Sequence, residues 1–423
     1  MKLLVKGGTL PEYGRADMLV EDGVISRIEG NIECEGAQVV DAEGLYVMPG
    51  MVDLHCHLRD PGQEYKEDIV SGTRAAAAGG FTSVCCMANT TPVNDNAVVT
   101  SFIINKAKAE GSGVHVYPVG AVSKGLKGEN MAEIGDMAKA GAVAISDDGK
   151  PVMNALLMRL AMEYGSAFGM TVFDHCEDSN LVNKGVMNEG YNSTLLGLRG
   201  TTRAAEEVQI ARDIVLSETL NLPIHICHVS TKGGVELIRQ AKKRGVKITA
   251  ETAPHYLVGT DDLCASYDAN TKVNPPMRLA SDQEALIAGL CDGTIDAIAT
   301  DHAPHSAEEK ARPLSRAPSG MVGLETSLAL ALTTLYHTQR MELPDIIRKM
   351  TANPADILRL PKGRMSLGVD ADLTIFDLDE KWVVDPMKFA SKARNTPFAG
   401  RKVKGRVKYT IVKGKVIYQD ERI

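Results

Sequence analysis

The residues of this chain that could do chemistry are histidines and aspartates that stand where short apolar runs end. They are His55, His57, Asp147, Asp148, His175, His228 and Asp301. Imidazoles and carboxylates that converge on one site suit a borderline divalent ion, with Zn²⁺ first and Mn²⁺ or Co²⁺ next. Such an ion lowers the pKa of a bound water and polarises a carbonyl, and a shared carboxylate would allow two ions. Asp301, the last of the set, could be a ligand and also the general acid or base.

These residues can act together only if the apolar runs are neighbouring strands. Eight such runs alternate with helical stretches, which is typical of βα units and a parallel sheet. Strands are predicted at 51–57, 81–88, 114–120, 142–146, 171–175, 223–229, 246–251 and 295–300, and helices at 64–78, 205–220 and 233–244 among others. This pattern favours an α/β fold of the (β/α)₈ TIM-barrel type over an open doubly wound sheet, which no GxGxxG or Walker motif supports.

A barrel of this type holds its active site at the carboxyl ends of its strands, where each of these histidines and aspartates lies. A lone H-x-H, an interior histidine or an Asp-Asp-Gly turn has an ordinary structural explanation, but their joint placement at five strand ends favours a metal site. Strand alternation puts His55 and His57 on one side, and it predicts that Cys56 and Cys227 pack between strands and helices. Ordinary structural roles are assigned to His115, His225 and His337.

The two ends of the chain have a different pattern. Residues 2–28 and 371–418 contain short alternating runs joined by turns, which predict strands. Neither end is large enough to bury a core alone. We therefore predict one small β-sandwich domain assembled from residues 1–50 and 356–423, beside a barrel at 51–355.

Composition narrows the class of ligand. The 423 residues are 44% hydrophobic, 24% charged and only 4% aromatic, with a formal net charge of −7. These values give no reason to expect nucleic acid or an anionic membrane as a partner, and they favour a small polar ligand. The eight cysteines form no C-x-x-C pair, and the first ten residues lack the apolar stretch of a signal peptide. A cytoplasmic protein is expected.

Seven segments taken together resemble the dihydroorotase family of the amidohydrolase superfamily. They are HCHLRDPG (55–62), ANTTP (88–92), SDDG (146–149), DHCED (174–178), HVST (228–231), NPP (274–276) and DHAPH (301–305). The H-x-H pair and the final aspartate are shared by the whole superfamily, whereas HLRDPG and ANTTP are more specific. The resemblance covers nearly the whole chain, including a tail at 368–377.

The resemblance implies roles for particular residues. His55, His57 and Asp301 would hold one metal ion, His175 and His228 a second, and Asp148 would bridge them in place of the carboxylated lysine found elsewhere in the superfamily. Asp147 and Lys150 remain alternatives for the bridge. One or two Zn²⁺ ions are implied, with two favoured. The implied substrate contacts are Arg59, Asn89 and His305 for a carboxylate and Asn274 for the ring.

The implied reaction is the reversible cyclisation of N-carbamoyl-L-aspartate to dihydroorotate in pyrimidine biosynthesis. Water activated by the metal would attack the ring carbonyl, and Asp301 would move the proton. Residues 306–320 have the composition of an active-site lid, and equally of a surface loop. Rival functions are a hydantoinase, dihydropyrimidinase or allantoinase, and an inactive partner of aspartate transcarbamoylase. A homodimer and an association with that transcarbamoylase both stay open.

Overall fold

The structure is a computed structural model that describes residues 2–11 and 13–420. Its strands are β1 (Lys2–Leu10), β2 (Gly14–Glu21), β3 (Val24–Glu29), β4 (Gln38–Asp41), β5 (Tyr46–Pro49), β6 (Met51–Cys56), β7 (Phe81–Cys86), β8 (His115–Gly120), β9 (Ala144–Ile145), β10 (Thr171–Asp174), β11 (Met187–Asn188), β12 (Gly200–Thr201), β13 (Ile224–Ile226), β14 (Ile248–Thr252), β15 (Ala297–Ile298), β16 (Leu373–Val383), β17 (Lys402–Val412) and β18 (Lys415–Gln419).

The α-helices fall between and after these strands. They are α1 (Ile69–Gly79), α2 (Ala97–Glu110), α3 (Ile134–Ala140), α4 (Ala155–Ser166), α5 (Ser179–Val182), α6 (Tyr191–Leu195), α7 (Ala204–Leu220), α8 (Lys232–Lys243), α9 (Pro254–Val258), α10 (Ala280–Cys291), α11 (Ala307–Lys310), α12 (Ser327–Ala331), α13 (Leu343–Met350) and α14 (Ala352–Ile357). Among the described residues, no helix is both long enough and apolar enough to cross a bilayer.

Eight strands form a nearly closed parallel barrel, as the alternation of apolar runs and helices predicts. The hydrogen-bonded order is β6, β7, β8, β9, β10, β13, β14 and β15. The seam between the last strand and the first is closed just beyond them, where His57 N donates to His302 O at 2.8 Å and Thr300 N donates to Asp53 Oδ1 at 2.8 Å. The TIM-barrel prediction is confirmed. Every predicted strand is present, although several are shorter than predicted because their last residues bend into the loops that carry the polar side chains.

The barrel interior is filled by apolar side chains from the barrel strands, among them Leu54, Val119, Phe173 and Ala297. Cys227 belongs to this interior cluster, so the prediction that it packs between strands and helices is wrong. The side chains still alternate as far as Cys227, since Ile224 and Ile226 lie in the outer layer. His228 departs from the alternation, because its φ of +35° turns its side chain back towards the barrel mouth. Cys56 does lie in the outer layer of the core, as predicted.

The second sheet contains strands from both ends of the chain, which confirms the prediction of one β unit built from the two termini. Its order is β18, β17, β16, β5, β1, β2 and β3, and β4 pairs with β1. Leu3, Val5, Met18 and Ile375 are buried in a core of its own. The chain passes from this sheet into the barrel at Gly50, between β5 and β6. The predicted ends of this unit at residues 1 and 421–423 lie outside the described residues.

Candidate metal centre

Six predicted site residues meet at the carboxyl-end mouth of the barrel. They come from five strands, and parallel strands present their carboxyl ends at one edge. His55 lies on β6 with His57 just beyond it, and the others follow β9, β10, β13 and β15: Asp148, His175, His228 and Asp301. Their side chains are almost fully buried. The strand order therefore brings together residues that are up to 246 positions apart in the sequence.

Asp148 is the centre of this group. Its Oδ1 lies 3.3 Å from His55 Nε2, 3.4 Å from His175 Nδ1 and 3.3 Å from His228 Nε2. Its Oδ2 lies 3.5 Å from His57 Nε2. The side chains consequently form two groups with metal-ligand spacing, one containing His55 and His57 and the other His175 and His228, and both include Asp148.

Asp301 completes the first of these groups. Its Oδ1 lies 3.5 Å from His57 Nε2 and 3.7 Å from His55 Nε2. Burial alone would raise the pKa of Asp301, but hydrogen bonding to His57 and the nearby imidazoles outweigh burial and lower this pKa to about 2. The same competition places the pKa of Asp148 well below its usual range, because His55, His175 and His228 surround it.

Three of the four imidazoles are oriented by an acceptor on their far side. His55 Nδ1 lies 3.0 Å from Glu251 Oε1, and His57 Nδ1 lies 2.9 Å from Asn89 Oδ1. His175 Nε2 lies 3.3 Å from Glu177 Oε2. A neutral imidazole that donates its one N–H presents a lone pair at its other nitrogen. Three lone pairs are therefore directed towards Asp148, an arrangement common among metal-binding histidines.

The residues present fit a cation. The inward-facing atoms are carboxylate oxygens and imidazole lone pairs, all of which accept. In the described part of the chain, no lysine or arginine nitrogen lies within 4.0 Å of Asp148 or Asp301. His55 Nε2, which faces Asp148, is buried without a hydrogen bond among the described residues. Buried acceptors that face one another are costly unless a positive charge lies between them, so this donor set suits a divalent metal ion.

Asp147 and Lys150, the two alternatives to Asp148 as the bridging ligand, do not face the histidines. The Asp147 carboxylate accepts hydrogen bonds from Val122 N at 2.8 Å, from Ser123 N at 3.0 Å and from the Ser123 hydroxyl. Burial raises its pKa to about 6 against these hydrogen bonds. Lys150 is exposed. Asp147 thus shapes the loop after β9, and only Asp148 faces the histidines.

The four predicted substrate contacts lie around the same centre. Asn89 binds His57, and Asn274 Nδ2 donates to Glu177 Oε2 at 2.9 Å beside His175. Arg59 is buried, and its Nε donates to Pro304 O at 3.3 Å. His305 follows Pro304 in the sequence, and its Nε2 donates to Ser319 O at 2.8 Å. Arg59 and His305 therefore lie side by side at one edge of the centre.

Arg59 has an unusual environment for a cation. Burial lowers its pKa to about 10, although the charges of Asp301 and Asp148 oppose this shift. No carboxylate oxygen of the described residues lies within 4.0 Å of its guanidinium. A buried guanidinium without a carboxylate partner is costly, and its two-pronged donor geometry matches a carboxylate. The position is suited to an acidic ligand.

Three residues of the site have left-handed backbone conformations. The φ angles are +59° at Arg59, +35° at His228 and +46° at Asp301. Residues with a side chain rarely adopt this region, and such strain is typically found at functional sites. Each of these turns re-aims a side chain at the point where a strand gives way to a loop.

Residues 306–320 follow His305 beside the candidate metal centre, and hydrogen bonds fix this segment to residues 269–272. The buried Lys310 Nζ donates to Ala269 O at 3.0 Å and to Pro318 O at 2.9 Å, and Gly320 N donates to Lys272 O at 2.9 Å. This segment begins with the short helix α11. Its role as a lid stays a prediction.

Two carboxylates that contact the site histidines, Glu251 and Glu177, are not among the residues predicted from the sequence. Glu251 lies in β14 and also contacts His225 Nε2 at 3.2 Å. Glu251 could have been predicted from the sequence, because it ends the predicted strand 246–251 just as the proposed metal ligands end theirs. Glu177 had no such signal, because its contact with His175 depends on how the loop after β10 turns.

The described fold and site define a metal-dependent amidohydrolase, and comparison with known proteins gives the family. A sequence family described as Dihydro-orotase-like matches residues 44–234, and one described as Amidohydrolase family matches residues 269–418. The dihydroorotase of Acetivibrio thermocellus is 54% identical over 99% of both chains, and that of Pelotomaculum thermopropionicum is 54% identical over 100% of both. The chain belongs to the dihydroorotase family.

Solved structures show the same architecture. The L-hydantoinase of Arthrobacter aurescens has a TM-score of 0.89 at 28% identity and covers 99% of this chain and 96% of its own. The dihydropyrimidinase of Brevibacillus agri has a TM-score of 0.87 at 21% identity and shares the fold. The chain is therefore much closer in sequence to dihydroorotases than to these cyclic amidohydrolases.

Proposed function

We propose that this protein interconverts N-carbamoyl-L-aspartate and dihydroorotate, as a cytoplasmic enzyme of pyrimidine biosynthesis. The observation that carries the proposal is the buried guanidinium of Arg59, which has no carboxylate partner among the described residues and lies beside the candidate metal centre. Dihydroorotate and N-carbamoyl-L-aspartate supply a carboxylate for it. Hydantoin and dihydrouracil do not, and they would leave the charge buried and unpaired.

The candidate centre supplies ligands for two ions, and we assign Zn²⁺ to them because the donors are imidazoles and carboxylates. His55, His57 and Asp301 would hold one ion, and His175 and His228 the other. Asp148 would bridge them, since its two oxygens face both histidine pairs. When bound, the metal would lower the pKa of a water molecule and polarise the ring carbonyl.

The side chains of the protein would bind the substrate and transfer the proton. Arg59, Asn89 and His305 hold the substrate carboxylate, and Asn274 lies against the ring. Burial and the charges of Arg59 and Lys66 lower the pKa of His305 to about 3, so His305 is neutral and has one N–H. Ser319 O accepts this N–H here, and His305 would turn it to the substrate carboxylate on binding. Asp301 takes the proton from water and gives it to the ring nitrogen when the amide bond breaks, and returns it in the reverse direction.

Turnover of three substrates by the metal-loaded chain tests the proposal. We expect hydrolysis of dihydroorotate and little or none of dihydrouracil or hydantoin. Arg59→Ala should lower kcat/KM for dihydroorotate by about 10- to 150-fold, the value of a hydrogen bond to a charged group. Arg74→Ala is the matched control, because Arg74 is exposed on α1. Hydrolysis of dihydrouracil or hydantoin in place of dihydroorotate would refute the assignment and support the hydantoinase-type alternative.

A further inference from the structure

A long loop of the second sheet reaches the edge of the barrel that holds His305. The strands β16 and β17 are antiparallel neighbours, and Val383 at the end of one pairs with Lys402 at the start of the other. A turn of a few residues is the usual connection between such strands. Here residues 384–401 leave the sheet and return to it, and Val384 N donates to Arg401 O at 2.9 Å at their base. Loops of this length in a compact protein usually have a function.

Two carboxylates of the barrel fix the middle of this loop. Glu325 accepts hydrogen bonds from Ala390 N at 2.9 Å and from Ser391 N at 3.1 Å. Glu67 accepts from Lys392 N at 3.2 Å and from the hydroxyl of Ser391. The barrel thus supplies acceptors for successive main-chain N–H groups of the loop, and the loop is held against it.

Asn395 of the same loop contacts the turn that carries His305. Its side chain is buried, and its Oδ1 accepts from His305 N at 3.1 Å. Its Nδ2 donates to Ala303 O at 3.1 Å and to Gly320 O at 3.1 Å. A side-chain amide has an acceptor oxygen and two hydrogens on its nitrogen, so it matches one N–H and two carbonyl groups. The single side chain therefore joins the turn at 303–305 to the segment that ends at Gly320.

These contacts fix the surroundings of the His305 ring. The main chain of His305 is held at its nitrogen, and the ring donates to Ser319 O, which lies next to the bound Gly320. Glycine permits the close approach, because φ is +131° there and a Cβ would lie 2.7 Å from the Ala303 Cβ. The backbone of His305 is consequently fixed, while its imidazole can exchange Ser319 O for a carboxylate.

The turn at 303–305 also contacts Arg59. The Arg59 Nε donates to Pro304 O at 3.3 Å, and Asn395 binds the residues on both sides of Pro304. Two groups can hold one carboxylate only if their separation matches it, and a displacement of about 1 Å is costly. The distance between the His305 imidazole and the Arg59 guanidinium therefore depends on how this turn is held.

We propose that Asn395 is a positioning residue for substrate binding, which acts by holding His305 where it meets the carboxylate that Arg59 binds. The second sheet would thereby contribute to substrate recognition through its loop, although it contributes none of the proposed metal ligands. This inference rests on the proposed function, because only a substrate with a carboxylate uses His305 and Arg59 together. It implies an effect on KM and not on the proton transfer by Asp301.

Steady-state kinetics of the metal-loaded full chain with dihydroorotate test the proposal. Asn395→Ala should raise KM by about tenfold and change kcat by less than about threefold, because the loss corresponds to one or two neutral hydrogen bonds. Asn353→Ala is the matched control. Asn353 Nδ2 donates to Asp296 O at 2.8 Å just before β15, at the amino end of the barrel, and its loss should leave KM unchanged.

A double-mutant cycle with His305→Ala separates positioning from a general structural role. His305→Ala alone should raise KM by about 10- to 150-fold. Adding Asn395→Ala should then raise KM by less than about twofold, because the residue that Asn395 holds is gone. Effects on KM that simply multiply would overturn the proposal, since Asn395 would then act on the whole site.

The remaining outcomes are equally decisive. If Asn395→Ala does not fold, Asn395→Ser keeps one hydroxyl donor and should raise KM by about threefold. An unchanged KM in the folded variant, or a fall in kcat without a change in KM, would overturn the inference while the proposed function stands. A wild type that does not turn over dihydroorotate would refute the proposed function and the inference with it.

Discussion

Two clusters of histidine and carboxylate lie at opposite ends of the barrel, and they differ in the source of their positive charge. At the carboxyl end, the groups around Asp148 face inward as hydrogen-bond acceptors, so a positive charge must come from a bound cation. At the amino end, His115 is the first residue of β8, and its Nε2 lies 3.2 Å from Asp372 Oδ2 and 3.1 Å from Lys362 Nζ. Lys362 Nζ also donates to Asp372 at 2.7 Å and to Asp370 at 2.8 Å.

The difference separates a structural cluster from a binding site. Lys362 supplies the amino-end cluster with a cation from the chain itself, so its donors and acceptors balance and it joins the barrel to the second sheet without a ligand. The cluster around Asp148 contains the same residue types, histidine and aspartate, and is more deeply buried, yet no lysine or arginine nitrogen of the described residues lies within 4.0 Å of its carboxylates. Burial of histidine and aspartate alone therefore does not identify a metal site, whereas an excess of acceptors does.

Metal removal should give the largest effect, and only at the carboxyl end. Chelation followed by buffer exchange should lower dihydroorotate turnover by at least about 10³-fold, and added Zn²⁺ should restore it. The unfolding temperature should also fall, because a ligand that binds only the folded state stabilises it. Full activity in protein shown by elemental analysis to be free of metal would contradict the candidate centre.

Asp301→Asn should give the next largest effect. The amide keeps the size of the side chain but cannot take a proton, so kcat should fall by about 10²- to 10⁴-fold with a smaller change in KM. Elemental analysis should show that the variant still binds metal through its histidines. Asp136→Asn, at an exposed aspartate of α3, is the control. A variant that loses all its metal would show that Asp301 acts mainly as a ligand.

The sequence predicted the fold well for a physical reason. A buried parallel strand must be apolar along its length, and the outer helix must be apolar on one face, so both leave periodic signals that survive without tertiary information. The same logic predicted that His55, Asp148 and Asp301 lie at the mouth of the barrel, because each stands where a predicted apolar strand ends. Strand ends were less accurate, as at β15, where 295–300 was predicted and Ala297–Ile298 is observed.

The parts that were missed depend on backbone turns. Glu177 reaches His175 only through the conformation of its loop. Cys227 and His228 both face the barrel because the chain turns at His228, where φ is +35°. The sequence also contained no sign that Lys362 would meet His115, which is 247 residues away. Local patterns place elements, whereas contacts between loops follow from the assembled fold.

At the amino end of the barrel, Lys362→Met should lower the free energy of unfolding and leave kcat unchanged. Removing the cation leaves Asp372 buried beside His115 without its charged partner, which should lower the free energy of unfolding by about 3–5 kcal/mol. Lys413→Met is a close control, because Lys413 lies 3.7 Å from Asp370 but is 57% exposed, and its loss should cost less than about 1 kcal/mol. Urea unfolding measures both. A change in kcat or in metal content of Lys362→Met would mean that the two clusters are coupled.

The smallest effect is the pH dependence of that cluster. Burial raises the pKa of Asp372, but hydrogen bonds from His115 and Lys362 outweigh it and lower the pKa to about 2. An unfolded aspartate titrates at about 3.9, so the folded state favours the charged form and gains about 2 kcal/mol that is present above about pH 4 and lost as the pH falls towards 2. Lys362→Met removes one cause of the low pKa, and Asp372 then takes up its proton at a higher pH. The difference in unfolding free energy between wild type and variant should accordingly shrink as the pH is lowered from 7 to 3. A difference that stays constant over that range would show that Lys362 stabilises the protein by packing and not by its charge.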